Sequence, residues 1–258
     1  MLTWVLARGV ELSIAVAYMH KHHVCHLDLK PGNVMMDEGT GSVRVIDFDS
    51  ASAVPRKRLA RPRRGTKGWM APEVNSRHSA GVNAFPVDIY GVGSLIIHLT
   101  RCVVNGIQFD SQPSRCYSEA DTRLVCDELV DVWHGLFDES RSTGSKPGAG
   151  DRAANSLPSE GKEEEFMRFV AVFCDFLSEM VHVKPAKRPS ADETLAYMRQ
   201  LSAMLQSVAI PETTSILHEN SSATALDGNV RSHLTTRPKS VRVMQSDDIG
   251  TRNKNLEL

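Results

Sequence analysis

Apolar residues recur along this chain at intervals of three and four positions, a spacing that places side chains on one face of an α-helix. The first such face consists of Leu6, Val10, Ile14 and Ala17. It predicts an amphipathic, partly buried helix near the N-terminus. Because Arg8 and Glu11 interrupt the apolar residues there, we interpret the segment as a helix rather than as a cleaved signal peptide.

Three later segments also have the composition of helices. Residues 88–100, DIYGVGSLIIHLT, are strongly apolar despite two glycines and predict a buried helix. Residues 122–137 and 163–181 combine apolar and charged positions at helical spacing and predict amphipathic helices. The chain therefore contains several helices with an apolar side to bury.

Local end signals define two further elements. A helix over residues 190–205 is predicted to begin after Ser190 as N-cap, with Glu193 completing a capping box. The short apolar runs 34–36 and 43–46 are separated by the turn-forming sequence DEGTGS and predict a β-hairpin. The expected content is thus mainly helical with a small sheet.

Polar stretches divide the chain. Residues 55–68 contain seven Arg and Lys side chains and predict an exposed basic loop. Residues 138–162 are rich in Ser, Gly and Pro and predict a flexible insert, and residues 206–258 predict a disordered C-terminal tail. We expect one domain over residues 1–205, with no internal repeat.

Composition narrows the partners and the compartment. The formal net charge is -1, which gives no electrostatic reason to expect nucleic acid or membrane as a partner. Apart from the N-terminal helix, we expect no run long enough to span a bilayer. The five cysteines are odd in number and form no Cys-x-x-Cys pair, which favours reduced thiols and an intracellular location, cytoplasmic or nuclear.

Candidate chemistry concentrates in residues 20–50. Asp28 and Asn33 lie five positions apart on one loop, and Asp47 follows a predicted strand. Two carboxylates and an amide oxygen can orient a hydroxyl group and hold Mg²⁺ against polyphosphate oxygens. Lys30 could neutralise charge on a phosphoryl group in transfer. This set of residues indicates phosphoryl transfer.

The same stretch offers a competing interpretation as a metal centre. His20, His22, His23, Cys25 and His26 are packed into seven residues. Their spacing is not that of a known zinc arrangement. Histidines at a helix C-terminus are also expected there because cations interact favourably with the last carbonyls. We therefore interpret this cluster as structural rather than metal-binding.

The chain resembles the eukaryotic-type protein kinases of the serine/threonine type, and specifically their C-terminal lobe. Five motifs occur in the order of that family: HLDLKPGN at 26–33, DFD at 47–49, GTKGWMAPE at 65–73, DIYGVG at 88–93 and KPAKRPSADETL at 184–195. The resemblance implies an α+β protein kinase-like fold. A mainly α-helical C-lobe would carry a small β-hairpin at the active site, with the N-lobe absent.

The resemblance also implies roles for individual residues. Asp28, Lys30 and Thr66 are expected to be catalytic, with Asp28 as the base. Lys30, Asn33 and Asp47 are expected to bind the cofactors, ATP and Mg²⁺, with Asn33 and Asp47 as the metal ligands. The residues expected to have structural roles are His26, Glu73, Asp88 and Arg188.

The chain departs from the pattern of the family at two motif positions and in extent. Leu27 replaces the arginine that receives an activation-loop phosphate, so activity is expected not to depend on that phosphate. Asp49 replaces a glycine that reaches positive φ freely, at an expected cost in backbone energy. A Gly-rich loop and the strand lysine of the family do not occur in the sequence, so we expect a fragment of a longer kinase.

These features predict a function and its alternatives. The favoured function is ATP-dependent phosphorylation of serine or threonine in protein substrates. The basic residues 55–68 favour acidic or prephosphorylated substrates by charge complementarity. A catalytically impaired pseudokinase acting as an interaction module is the first alternative, and a small-molecule kinase of the aminoglycoside or choline type is the lesser one.

Overall fold

The computed structural model of the protein describes residues 1–37, 40–54, 65–74, 81–109, 113, 115–142 and 160–208. For residues 136–142 and 160 the description is limited to the backbone. The first ten residues of the predicted basic loop (55–64), the middle of the predicted insert and the predicted tail from residue 209 onward lie outside the described residues.

Five helices account for most of the described residues. They are α1 (Leu2–Lys21), α2 (Ala84–Asn105), α3 (Glu119–Ser142), α4 (Glu160–Met180) and α5 (Ala191–Ser207). Every helix predicted from the apolar spacing is confirmed by one of these. The ends of α3 and α4 extend into the predicted insert 138–162, because helical hydrogen bonding continues past the last apolar position on each side.

Helix α2 lies at the centre of the core. Asn83 caps its first turn by accepting from the Phe85 amide, and Gly106 ends it in the left-handed conformation with φ of 66°. Tyr90, Ile96 and Ile97 are completely or almost completely buried. The helix is therefore a rigid support on which other elements are placed.

The last helix packs against the first. Ser190 accepts from the Glu193 amide and the Glu193 carboxylate accepts from the Ser190 amide, so the predicted capping box is confirmed. Met198 and Leu201 are fully buried. At Gly9 of α1, an added Cβ would lie 2.4 Å from the Cε of Met198, which shows how closely the two helices approach.

Helices α3 and α4 form an antiparallel pair, and both contact α2. At one end the side-chain oxygens of Thr122 and Ser178 lie 2.5 Å apart. At the other end the rings of Trp133 and Phe166 stack with centroids 4.2 Å apart. The residue numbers of the two contacting residues have almost the same sum at each end. In an antiparallel pair of helices, this means that the residues between the two contacts lie opposite each other across the interface.

In the part of the chain that the structure describes, four short strands form two separate two-stranded sheets. The strands β2 (Val34–Met36) and β3 (Val43–Val45) form the predicted antiparallel hairpin, with Val34 opposite Val45. The strands β1 (Val24–Cys25) and β4 (Ser52–Ala53) also pair antiparallel. Two-residue strands have no readable alternation, which is why the sequence did not predict the second pair.

Two expectations about apolar segments were wrong. Ile14 was placed on the buried face of α1 but is 43% exposed, because the buried face is centred between Leu6 and Leu12. Among the described residues, α2 as well as α1 is long and apolar enough to cross a membrane. Inside the protein, 72% of the apolar window of α2 is buried, as is expected of a core helix.

Candidate active site

Asp88 of α2 anchors the loop that follows β1. Its carboxylate accepts the His26 amide at 2.8 Å, the Leu27 amide at 2.7 Å and the Nε2 proton of His20 at 3.0 Å. Asp88 is 1% exposed, so these donors replace the water that the carboxylate has lost. The bonds join the loop to the core helix.

Leu27 has an unusual backbone conformation. Its φ is 68°, in the left-handed region, and its side chain is buried. A residue with a Cβ loses roughly 1–2 kcal/mol there. Asp88 holds the conformation through the Leu27 amide. The turn that this conformation makes directs the following residue, Asp28, toward the site.

His26 links the same loop to the end of β3. Its Nε2 lies 2.9 Å from the Ile46 carbonyl oxygen, and its Nδ1 lies 3.3 Å from the Asp28 amide. A carbonyl can only accept, so Nε2 carries the proton and Nδ1 accepts. His26 therefore connects the loop to the end of β3, and its predicted structural role stays a prediction.

The predicted catalytic residues come together around Asp28. Lys30 Nζ donates to Asp28 Oδ2 at 2.8 Å, and Thr66 Oγ1 donates to Asp28 Oδ1 at 3.0 Å. Lys30 Nζ also donates to Thr66 Oγ1 at 2.7 Å. Asn33 Nδ2 donates to the Asp28 carbonyl at 2.8 Å. The Asp28 side chain keeps 12% of its surface exposed, so it remains reachable by a substrate group.

Asp47 stands beside this set without contacting Asp28. The Ile46 amide donates to the Asn33 carbonyl at 3.0 Å, which holds the end of β3 next to the loop. Asp47 itself has φ of 62° and caps the one-turn 3₁₀ helix Phe48–Ser50. Its carboxylate is exposed.

Asp49 corrects one expectation from the sequence. Among the described residues other than glycine, positive φ occurs at His23, Leu27 and Asp47, and Asp49 is not one of them. The replacement of glycine by aspartate therefore costs no left-handed strain in this conformation. The Asp49 amide instead donates to Asp47 Oδ1 at 3.4 Å and supports the turn.

The donor atoms at the site fit a magnesium ion. Asn33 uses its amide nitrogen toward Asp28, and no described residue donates to its Oδ1. The exposed Asp47 carboxylate adds two further oxygens. Mg²⁺ is bound by oxygen ligands of this kind together with water and phosphate. Asn33 and Asp47 are therefore the residues that could hold it.

Glu73 and Arg188 form the predicted ion pair. The two guanidinium nitrogens of Arg188 lie 2.6 Å and 2.8 Å from the Glu73 carboxylate oxygens. Arg188 also donates to the carbonyls of Pro86 and His182. Its side chain is 0% exposed and lies 5.0 Å from the centre of the Tyr90 ring. The pair ties the segment ending at Glu73 to the core.

The histidine and cysteine cluster separates into individual contacts. His20, Cys25 and Asp88 are buried and offer ligand atoms within 4.8 Å of one another. However, the Asp88 oxygens already accept three hydrogen bonds. Burial and, secondly, the Asp88 charge raise the pKa of the Cys25 thiol, which keeps it in the protonated form that binds metals poorly. We interpret the group as a hydrogen-bonded support for the loop.

Two contributors to the site were missed in the sequence. His20 was grouped with the other histidines, although its position in the last turn of α1 places it against Asp88. Gly91 permits the close approach of α2, because an added Cβ would lie 2.8 Å from the Leu29 Cβ. A glycine inside a strongly apolar helix was the available signal for such an approach.

Comparison with known proteins identifies relatives of this arrangement. Residues 9–198 match the family described as "Protein kinase domain". Serine/threonine-protein kinase 32B of Homo sapiens is 37% identical over 93 residues, which cover 35% of this chain and 22% of the relative. Serine/threonine-protein kinase TAO1-B of Xenopus laevis is 26% identical over 196 residues, 76% of this chain and 15% of the relative. The chain thus spans less than a quarter of the length of these relatives.

Proposed function

The chain belongs to the protein kinase domain family, and on that premise we propose that it transfers the terminal phosphoryl group of ATP to serine or threonine side chains of proteins. The observation that carries the proposal is the hydrogen-bonded set formed by Asp28, Lys30 and Thr66. The names of the serine/threonine kinase relatives support the class of substrate.

Asp28 and Lys30 have different roles in the proposed reaction. The oxygen of the substrate hydroxyl attacks the terminal phosphorus, and the bond from that phosphorus to the bridging oxygen of ADP breaks. Asp28 accepts the proton of the hydroxyl group, since its carboxylate is partly exposed and lies within the hydrogen-bonded set. Lys30 neutralises charge on the transferred group while it also fixes the orientation of Asp28.

Thr66 shapes the place where the substrate hydroxyl binds. Its own hydroxyl donates to Asp28 Oδ1 and accepts from Lys30 Nζ. Its amide donates to Asp28 Oδ1 at 3.1 Å. These bonds fix the orientation of Asp28. The proposed preference for serine and threonine over tyrosine rests on the resemblance of the chain to serine/threonine kinases.

Asn33 and Asp47 are proposed to hold magnesium. When bound, Mg²⁺ shields the negative charge of the phosphates and orients them for in-line transfer. The chain contributes by fixing Asn33 through its bond to the Asp28 carbonyl. The hairpin register brings Asp47 to the same edge.

Further proposals concern substrate and location. We propose that basic residues between positions 55 and 68 favour acidic or prephosphorylated substrates. Most of that segment lies outside the described residues. We also propose an intracellular location, cytoplasmic or nuclear, supported by five cysteines that are all free thiols.

A binding role without catalysis is the second candidate. It is favoured by three large apolar side chains that are exposed beside the site: Met35 at 54%, Met36 at 46% and Phe48 at 49%. Such a surface is typical of a site for a macromolecular partner. The two candidates differ in one respect, because only the kinase requires Asp28.

Phosphate incorporation tests the proposal. The chain, incubated with radiolabelled ATP, Mg²⁺ and a serine/threonine peptide library, is expected to form phosphoserine and phosphothreonine. Asp28→Asn should lower the rate by about 10²–10⁴-fold, since it removes the general base. Asp131→Asn, an exposed change on α3, is the matched control and should have no effect. Equal incorporation by the wild type and Asp28→Asn would contradict the proposal.

Thermal denaturation with Mg-ATP distinguishes a kinase from a binding module, the second candidate function. A protein that neither transfers phosphate nor melts at a higher temperature with Mg-ATP is a binding module. A protein that melts at a higher temperature but transfers no phosphate retains the nucleotide site and has lost the chemical step. The Asn33→Ala variant should lose the Mg²⁺-dependent part of the shift.

A further inference from the structure

Helices α3 and α4 carry a pair of cysteines at matched positions. Thr122 and Ser178 meet at 2.5 Å between side-chain oxygens. Cys126 lies one helical turn after Thr122, and Cys174 lies one turn before Ser178. In an antiparallel pair these steps run in the same direction along the interface. The two cysteines therefore face each other across it.

The other end of the interface fixes the same register. The stacked rings of Trp133 and Phe166 lie further along the two helices, beyond the cysteines. The contacts at both ends define one register, in which the two thiols are neighbours. Serine, threonine and cysteine side chains have similar length, so the thiols are expected to approach as the hydroxyls do. A disulfide requires this kind of separation between the two backbones.

The environments of the two thiols differ. Cys174 is 6% exposed and belongs to the core, whereas Cys126 is partly exposed. Burial, and next the adjacent Cys126 thiol, raise the pKa of Cys174. Cys174 is therefore held as the protonated partner in the interior. Cys126 is the thiol that an oxidant from solution can reach.

We propose that Cys126 and Cys174 form a reversible, peroxide-driven disulfide that links α3 covalently to α4. The thiolate of Cys126 attacks one oxygen of hydrogen peroxide, which gives a sulfenic acid and releases hydroxide. The sulfur of Cys174 then attacks the Cys126 sulfur, its proton leaves with the hydroxyl group as water, and the disulfide forms. In sum, two thiols and one peroxide give one disulfide and two waters.

The other three cysteines are not placed to form this disulfide. Cys25 is fully buried beside Asp88, and Cys102 and Cys116 are on or beside α2 rather than on the α3–α4 interface. The disulfide would close a loop containing residues 127–173. Closing such a loop restricts the unfolded chain and stabilises the folded state.

Peptide mapping tests directly for the disulfide between Cys126 and Cys174. The reduced full chain is treated with hydrogen peroxide, its remaining thiols are alkylated, and it is digested with trypsin. The peptides 124–141 and 169–187 each contain one cysteine. We expect them to be recovered as one linked species that dithiothreitol separates. Oxidation should also raise the melting temperature by about 5 °C, on the scale usual for disulfides.

Matched variants decide the outcome. Cys126→Ser should abolish both the linked peptide and the rise in melting temperature. Cys102→Ser should retain both, because it leaves the pair intact. Recovery of 124–141 and 169–187 as separate alkylated peptides after peroxide treatment would overturn the proposal. So would a linkage to any other cysteine, or a rise in melting temperature that persists in Cys126→Ser.

Discussion

The carboxylate of Asp88 holds the amide of Leu27 at 2.7 Å, and Leu27 is one of three described residues other than glycine with positive φ. The bond compensates a conformation that costs roughly 1–2 kcal/mol. Because Asp28 follows Leu27 directly, the orientation of the proposed base depends on a residue in helix α2. The positioning of Asp28 and the stability of the core are therefore coupled.

Replacing Asp88 by asparagine should disrupt both. The side-chain NH₂ group of asparagine is a donor, and all three partners of residue 88 are donors too. At least one of the hydrogen bonds from His26, Leu27 and His20 is therefore lost in the interior. The free energy of unfolding is expected to fall by about 2–4 kcal/mol. Urea denaturation measures this change. Asp131→Asn, on the surface of α3, should leave the urea midpoint unchanged.

Removing Arg188 should be far more damaging than removing an exposed arginine. Arg188→Ala leaves the Glu73 carboxylate and two carbonyls without their buried partner, at a cost of about 3–5 kcal/mol. Arg168 pairs with Glu164 on the surface, where both side chains are largely exposed. Arg168→Ala should cost less than about 0.5 kcal/mol. Equal losses in the two variants would show that the buried pair does not tie Glu73 to the core.

Gly91→Ala should displace the loop that carries the proposed base, Asp28. The added methyl group would lie 2.8 Å from the Cβ of Leu29, a buried residue. This Cβ cannot move without the backbone, and Asp28 and Lys30 are the neighbours of Leu29 in the sequence. The expected loss of stability is about 1–3 kcal/mol, together with a lower rate of phosphate transfer. Gly135→Ala is the control, because nothing lies within 4 Å of its added Cβ. It should gain up to about 1 kcal/mol from helix propensity.

The stability contributed by Asp121 should depend on pH on the acid side. Burial alone would raise the pKa of Asp121, but hydrogen bonds from Arg115 and Ser118 outweigh this and hold the pKa below its ordinary value. The contribution is therefore present above the unfolded-state pKa of about 3.9 and is lost as the pH falls through the lower folded-state value. Urea denaturation should show a constant difference between wild type and Asp121→Asn from neutral pH to about pH 5, and a shrinking difference below about pH 4. A difference that grows with acid would contradict this sign.

The helices and the hairpin were predictable because each is encoded locally. The capping box at Ser190 and Glu193 and the apolar run of α2 are complete within one segment of sequence. The rotation of α1 was not predictable in the same way. Ile14 fits the apolar spacing, but the buried face is decided by where α5 and α2 contact the helix.

The candidate site was predictable as a set of residues but not as a geometry. Asp28, Lys30, Asn33 and Thr66, which the motifs had grouped, are joined by hydrogen bonds in the structure. The Glu73–Arg188 pair spans more than a hundred positions. Backbone angles were beyond the sequence. The left-handed conformation was expected at Asp49, yet Asp47 and Leu27 adopt it. Which residue bears strain depends on tertiary hydrogen bonds such as those of Asp88.

The close contact between Gly9 in α1 and Met198 in α5 has a consequence for how the protein folds during synthesis. The first helix leaves the ribosome long before the helix that covers it exists. Its apolar face must remain exposed, or be sheltered by a chaperone, until almost all of the domain has been translated. Joining such distant segments also closes a long loop, which slows folding. Translation pauses ahead of residue 191 would therefore prolong the period in which this chain is prone to aggregate.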